Sequence, residues 1–277
     1  MTTTMKRKAD LFLQLFIKKG LGLIALAFFV SACDFSPRIH KKIIVAQEYV
    51  MAQRYRDAIK EYNDILSENP PSPIQVKIYY QLGEIYSTNL GENEQAIKYF
   101  SKVKDHTQEP LWLVKSQERM GEIHYSYLRD FQTARENYEM LFNFTPKLAR
   151  REFYEHRLAL SYTKLGEVNK AEKLLLSIMS RPKHKYYVSS IFELGSLNFL
   201  KKEWQTAIDY WIEYIQKEKR RDNIVQAKFL MANAYETMED LQKAYNIYYS
   251  ILGEYPNTEV IQNRLRSIYE RRIARKR

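Results

Sequence analysis

At 277 residues, with 45% hydrophobic and 28% charged positions, the chain is long enough for a sizeable core and too apolar to be disordered. Eight glycines and eight prolines, set against 22 tyrosines and 13 phenylalanines, leave few breakers and predict a nearly all-helical protein. A single cysteine excludes an internal disulfide framework and every multi-cysteine metal site, while the formal charge of +11 acquires meaning only from its placement.

The N-terminus has a basic start, Lys6, Arg7, Lys8, Lys18 and Lys19, and then an apolar run from Leu21 to Val30. Ten apolar residues rise only about 15 Å as a helix, against a hydrocarbon core of about 30 Å. A positive flank, a short apolar run and small residues at its end together predict a secretory signal over residues 1–32. Val30-Ser31-Ala32-Cys33 resembles the lipobox of bacterial lipoproteins, with valine where leucine is commonest. That resemblance implies a diacylglycerol on the Cys33 thiol, cleavage before it, and acylation of the new amino group. Residues 33–41 would then be the lipidated N-terminus and tether, facing the periplasm from the cell membrane or the outer membrane. Asp34 resembles the inner-membrane retention signal of enteric bacteria.

Six copies of a helix pair follow over residues 42–256. Small anchors stand at Ala46, Gly83, Gly121, Ala159, Gly195 and Ala232. Each copy has a second small residue, Ala58, Ala96, Ala134, Ala171, Ala207 or Ala244, and four residues later a large one: Tyr62, Phe100, Tyr138, Leu175, Trp211 or Tyr248. Small residues let two helices approach closely and the large ones fill the space between. Pro70, Pro146 and Pro256, with Pro182 nearby, are placed to stop second helices, since proline lacks the N–H and clashes with the preceding turn. The pattern resembles the tetratricopeptide repeat, here 36–38 residues long. It implies an all-α, right-handed superhelical array of about six helix pairs.

Residues 257–277 read as a basic C-terminal capping helix, with Thr258 as its cap and Val260, Leu265, Ile268 and Ile273 turned toward the array. Seven Lys/Arg and one Glu fall between Arg264 and Arg277, and loss of residues 1–33 would lower the net charge from +11 to +7. Nearly all the remaining charge therefore sits in the last turns. Arg271, Arg272, Arg275, Lys276 and Arg277 are candidates for contact with an anionic surface, beside the simpler reading of a solvated helix end that suits the helix dipole.

No catalytic pattern is present. His40, His106, His124, His156 and His184 form no HExxH or other tight ligand group, and no GxSxG, Walker or dinucleotide fingerprint occurs. The chain reads as a non-enzyme without metal or cofactor. Acidic pairs such as Glu239-Asp240 fall in predicted turns, where solvation explains them.

In the tetratricopeptide family, ligands often lie along the concave face made by the first helices. Carried over, the positions three before, one after and four after each anchor, with Phe153 beside them, supply Tyr80, Glu84, Glu122, Tyr125, Phe153, His156, Leu160, Phe192, Phe199, Phe229 and Asn233. Such aromatics beside a few polar groups suit a protein segment; they equally suit packing between repeats. The lysine and asparagine clamp for C-terminal carboxylates is absent, its places holding Ile43, Gln47, Glu84 and Glu122. Lipobox and repeats together resemble bacterial envelope lipoproteins of the BamD and CpoB kinds and the pilotins of type IV pilus secretins. The resemblance implies a lipid-anchored scaffold for other envelope proteins, without nucleic acid or small-molecule substrate. Alternatives are secretin assembly and regulation of a periplasmic enzyme.

Overall fold

The computed structural model describes residues 35–275. Cys33, the signal segment, Lys276 and Arg277 lie outside the described residues. The chain divides into two compact units, one through Ser116 and one from Gln117. The first holds α1 (Phe35–Met51), α2 (Tyr55–Ser67), α3 (Ser72–Glu84) and α4 (Asn93–His106), and α5 (Pro110–Ile123) begins in it. The second holds α6 (Phe131–Phe142), α7 (Arg151–Lys164), α8 (Val168–Met179), α9 (Tyr187–Leu200), α10 (Trp204–Lys217), α11 (Arg221–Thr237), α12 (Leu241–Ser250) and α13 (Thr258–Ala274). Within each unit helices pack on their neighbours in sequence, α1 on α2, α3 on α4, α9 on α10 and α11 on α12. The fold is an all-helical array of tetratricopeptide type.

The two small residues and the large one make each pair. A Cβ placed on Gly83 would stand 2.6 Å from the Phe100 ring, one on Gly121 3.2 Å from Tyr138, and one on Gly195 2.5 Å from Trp211 Nε1. All six large residues and all six second small residues are buried. Anchor and large residue therefore form one contact, and size at either position is constrained by the other.

Each hairpin turns on a left-handed residue five positions before the second small residue: Gln53, Gly91, Arg129, Gly166, Lys202 and Glu239. Only two are glycine. A non-glycine residue there costs about 1–2 kcal/mol, so the tertiary pairing holds four of these turns against local preference. Copies two and three place twelve residues, not eleven, between their small residues. The same two copies carry π-helical turns at Ile85–Asn89 and His124–Leu128, which absorb the added residue without changing the packed face.

Three details differ from the sequence reading. Helix α1 begins at Phe35, so residues 35–41 of the expected tether are helical, and Ile39 is buried in the first unit's core. Asn257, not Thr258, caps α13: its Oδ1 accepts the Val260 N–H at 3.1 Å. Ile261 and Ile268 are the buried residues of that helix, whereas Ile273 is exposed: the last turns meet the last repeat through arginine side chains rather than through apolar ones.

Candidate binding surfaces

In the first unit, the exposed faces of α1 and α3 and the start of α5 enclose a pocket of about 360 Å³. Ile39, Ile43, Ile74, Ile78 and Trp112 form its apolar walls, and Tyr62, His40, Gln47, Lys77 and Gln81 bring polar groups to it. Tyr80, a predicted groove residue, is half-buried beside it, edge-on to Phe100 at 5.5 Å and 5.4 Å from Trp112. Glu84, at the end of α3, is half-buried too. Trp112 and Lys77 were missed because the groove pattern stopped three residues before the anchor, and Gln81 because position −2 was not among those it sampled. Lys77 and His40 stand six before Gly83 and Ala46, within the same 3.6-residue stripe, and could have been found by extending it.

In the second unit the predicted aromatics are half-buried and touch other rings. Tyr125 meets Phe131 at 5.5 Å and lies under the Arg157 guanidinium at 4.7 Å; Phe153 meets Tyr138 at 6.2 Å and Arg150 at 4.5 Å. Phe192 sits 5.1 Å from Tyr214, Phe199 4.8 Å from Trp204, and Phe229 stacks on Tyr255 at 4.4 Å. These rings pack within and between copies, and Phe192 and Phe199 also line surface depressions. Leu160 is half-buried on α7. Glu122 accepts hydrogen bonds from Ser126 and Tyr138 and lies 3.5 Å from Arg157. Phe199 and Asn233 come together at a polar depression of about 420 Å³, which Glu236, Arg264 and Arg271 also line. A further depression, about 260 Å³, joins Phe192 to Glu193 and Glu218. Burial raises the Glu193 carboxyl to about 7 against the opposing pull of Lys164. Burial also acts on Glu218, but the Arg220 and Lys219 N–H groups, Asn223 and Tyr214 hold it down at about 2.

His156 is buried and stacks on Tyr186 at 4.5 Å. Burial, then Arg157 and His184, lower it to about 4, so the ring is neutral at pH 7. Beside it His184 lies 3.5 Å from the buried Glu155, which Arg181 binds at 2.5 Å. No group of three His, Cys, Asp or Glu able to hold a metal occurs among the described residues.

Arg271 and Arg275 of the basic tail are paired with carboxylates. Arg271 bonds Glu236 at 2.9 Å and Glu239 at 2.6 Å, Arg275 also pairs with Glu239, and Arg272 bonds Gln242. The Glu239-Asp240 pair thus has structural work beyond solvation: Asp240 accepts the Lys243 N–H at the start of α12. Among the described residues, no helix is long and apolar enough to cross a membrane.

Residues 76–105 and 226–258 match two profiles of the tetratricopeptide repeat. With the helix pairs, these matches support a helical-repeat array of tetratricopeptide-like fold. No curated protein sequence is significantly similar to the chain. Among solved structures, it is similar to PilW, described as a widely conserved type IV pilus biogenesis factor. The TM-score is 0.55 at 17% identity, over 84% of this chain and 99% of that one. PilF of Pseudomonas aeruginosa gives 0.52 at 14% identity, over 81% and 95%. The apo quorum sensor NprR of B. thuringiensis gives 0.57 at 18% identity, over 96% and 80%. At these identities the likeness is one of fold.

Proposed function

We propose that the chain is a lipid-anchored protein–protein interaction scaffold of the bacterial cell envelope, held by an acylated Cys33 and facing the periplasm. The observation that carries the scaffold role is the helix-pair array with half-exposed rings and polar side chains along its first helices. Such a surface offers anchoring rings and hydrogen-bonding groups to a protein segment. The reading is of a non-enzymatic protein. The lipobox-like Val30-Ser31-Ala32-Cys33 supports the anchor. Two or three acyl chains, at about 0.8 kcal/mol per buried methylene, would hold the protein on a membrane almost permanently. Partners would be other envelope proteins. Fold likeness to PilW and PilF favours secretin or pilus assembly over the barrel-assembly and enzyme-regulating alternatives.

Intact mass of the native protein extracted from separated inner and outer membranes tests this reading. A chain beginning at Cys33 and carrying acyl mass is expected. A chain retaining residues 1–32 without acyl mass overturns the anchor, and with it the envelope assignment.

A further inference from the structure

The position four after the second small residue carries a hydroxyl in three copies, which makes an internal comparison possible. Tyr138 donates to Glu122, and Tyr248 donates to Asn233 and Glu236; in both, an acceptor stands one residue after the copy's own anchor. Trp211, at the same position, donates its Nε1 proton to the Phe192 carbonyl at 3.3 Å. Tyr62 is only 1% exposed, yet its hydroxyl has no hydrogen-bond partner among the described residues. Gln47 occupies the place of the missing acceptor and makes no bond to it, although both line the first unit's pocket. Tyr62 reaches the pocket through its hydroxyl, so a group delivered from outside can complete its hydrogen bonding.

Four further polar side chains reach the same pocket, and none has a side-chain partner among the described residues: His40, Gln47, Lys77 and Gln81. Their chemistry is specific. Two carboxamides carry a donor and an acceptor each and match a peptide backbone. Lys77 offers an unpaired positive charge, and the lining contains no carboxylate. The isoleucine and tryptophan walls accept an apolar side chain, and about 360 Å³ lies near the lower end of ligand-pocket sizes.

We propose that this pocket anchors a partner segment through one bulky aliphatic side chain flanked by acidic residues. The aliphatic group fills the isoleucine-walled space beside Trp112. A backbone group of the segment completes the Tyr62 hydroxyl, the glutamines meet its neighbouring amides, and Lys77 pairs with a flanking carboxylate. The inference rests on the reading that the array binds protein segments; it is independent of the anchor and of the envelope.

The chain has three tryptophans, of which only Trp112 is at the pocket. Protein labelled with 5-fluorotryptophan therefore reports binding by one fluorine resonance and carries its controls in Trp204 and Trp211. The probes are acetyl-Glu-Leu-Glu-amide and acetyl-Lys-Leu-Lys-amide. The acidic peptide is expected to shift Trp112 saturably, with a Kd of about 1 mM for so small a ligand, and to leave the other two unmoved. Tyr62→Phe, which places at this position the residue that copy two already has in Phe100, should weaken binding about three- to tenfold. Lys77→Glu should abolish the preference for the acidic peptide. Absence of a saturable Trp112 shift, equal response to the lysine peptide, or an unchanged Kd in Tyr62→Phe would each overturn the proposal. These outcomes are separable from failure of the scaffold reading, which is judged by capture of envelope partners on the intact chain.

Discussion

Tyr62 in the first repeat and Tyr248 in the last hold the same position and are equally buried, but their hydroxyls meet different fates. Tyr248 bonds Asn233 and Glu236, and Glu236 is in turn held by Arg271 from the capping helix. Around Tyr62, the polar groups converge on an open pocket without bonding one another. The contrast separates two jobs within one repeat. The ring packs against the small residues and is constrained by volume. The polar tip is free of that constraint, so one copy uses it to fasten the end of the array and another leaves it for a ligand.

Replacing either ring tests the shared half of that comparison. Tyr62→Ala and Tyr248→Ala should each lower stability by about 3–5 kcal/mol in urea denaturation, as expected for emptying a packed aromatic site. A loss under 1 kcal/mol at Tyr62 would mean that its ring belongs to the pocket rather than to the core. Gly195→Ala probes the same contact from the opposite helix. Its Cβ would stand 2.5 Å from Trp211 Nε1, and the overpacking should cost about 1–3 kcal/mol. If thermal unfolding is unchanged, the small/large pair is not what sets the helix spacing. The hydroxyls give the smallest effects and the sharpest contrast. Tyr248→Phe strands the Asn233 oxygen and should cost about 1–2 kcal/mol, whereas Tyr62→Phe removes an unpaired hydroxyl and should stay within about 0.5 kcal/mol of the parent. Equal losses would show that Tyr62 is bonded in solution and would erase the distinction.

Much of the fold was legible because it rests on residue size at fixed intervals. The six small/large pairs read directly as contacts such as Gly83 with Phe100. Even the π turns had a signal, the extra, twelfth residue between Gly83 and Ala96 and between Gly121 and Ala134. The left-handed turns at Gln53, Arg129, Lys202 and Glu239 had none, since these residues do not favour that conformation and are held there by the helices on either side. For the candidate surface, the face was legible and its use was not. Phe192, Phe199 and Phe229 are half-buried, and they pack against Tyr214, Trp204 and Tyr255. Which aromatics pack and which stand open depends on neighbours that one helix's periodicity does not reveal.

The basic tail shows the same limit. Seven positive residues in fourteen invite an anionic partner, yet Arg271 and Arg275 are matched by Glu236 and Glu239, more than thirty residues earlier. Sequence by itself determined the helices, their pairing and the number of copies, because volume and periodicity act over a few residues and repeat. Only the tertiary structure decided which hydroxyl is satisfied, which charge is spent and which pocket is left open, because those outcomes depend on side chains brought together from different helices.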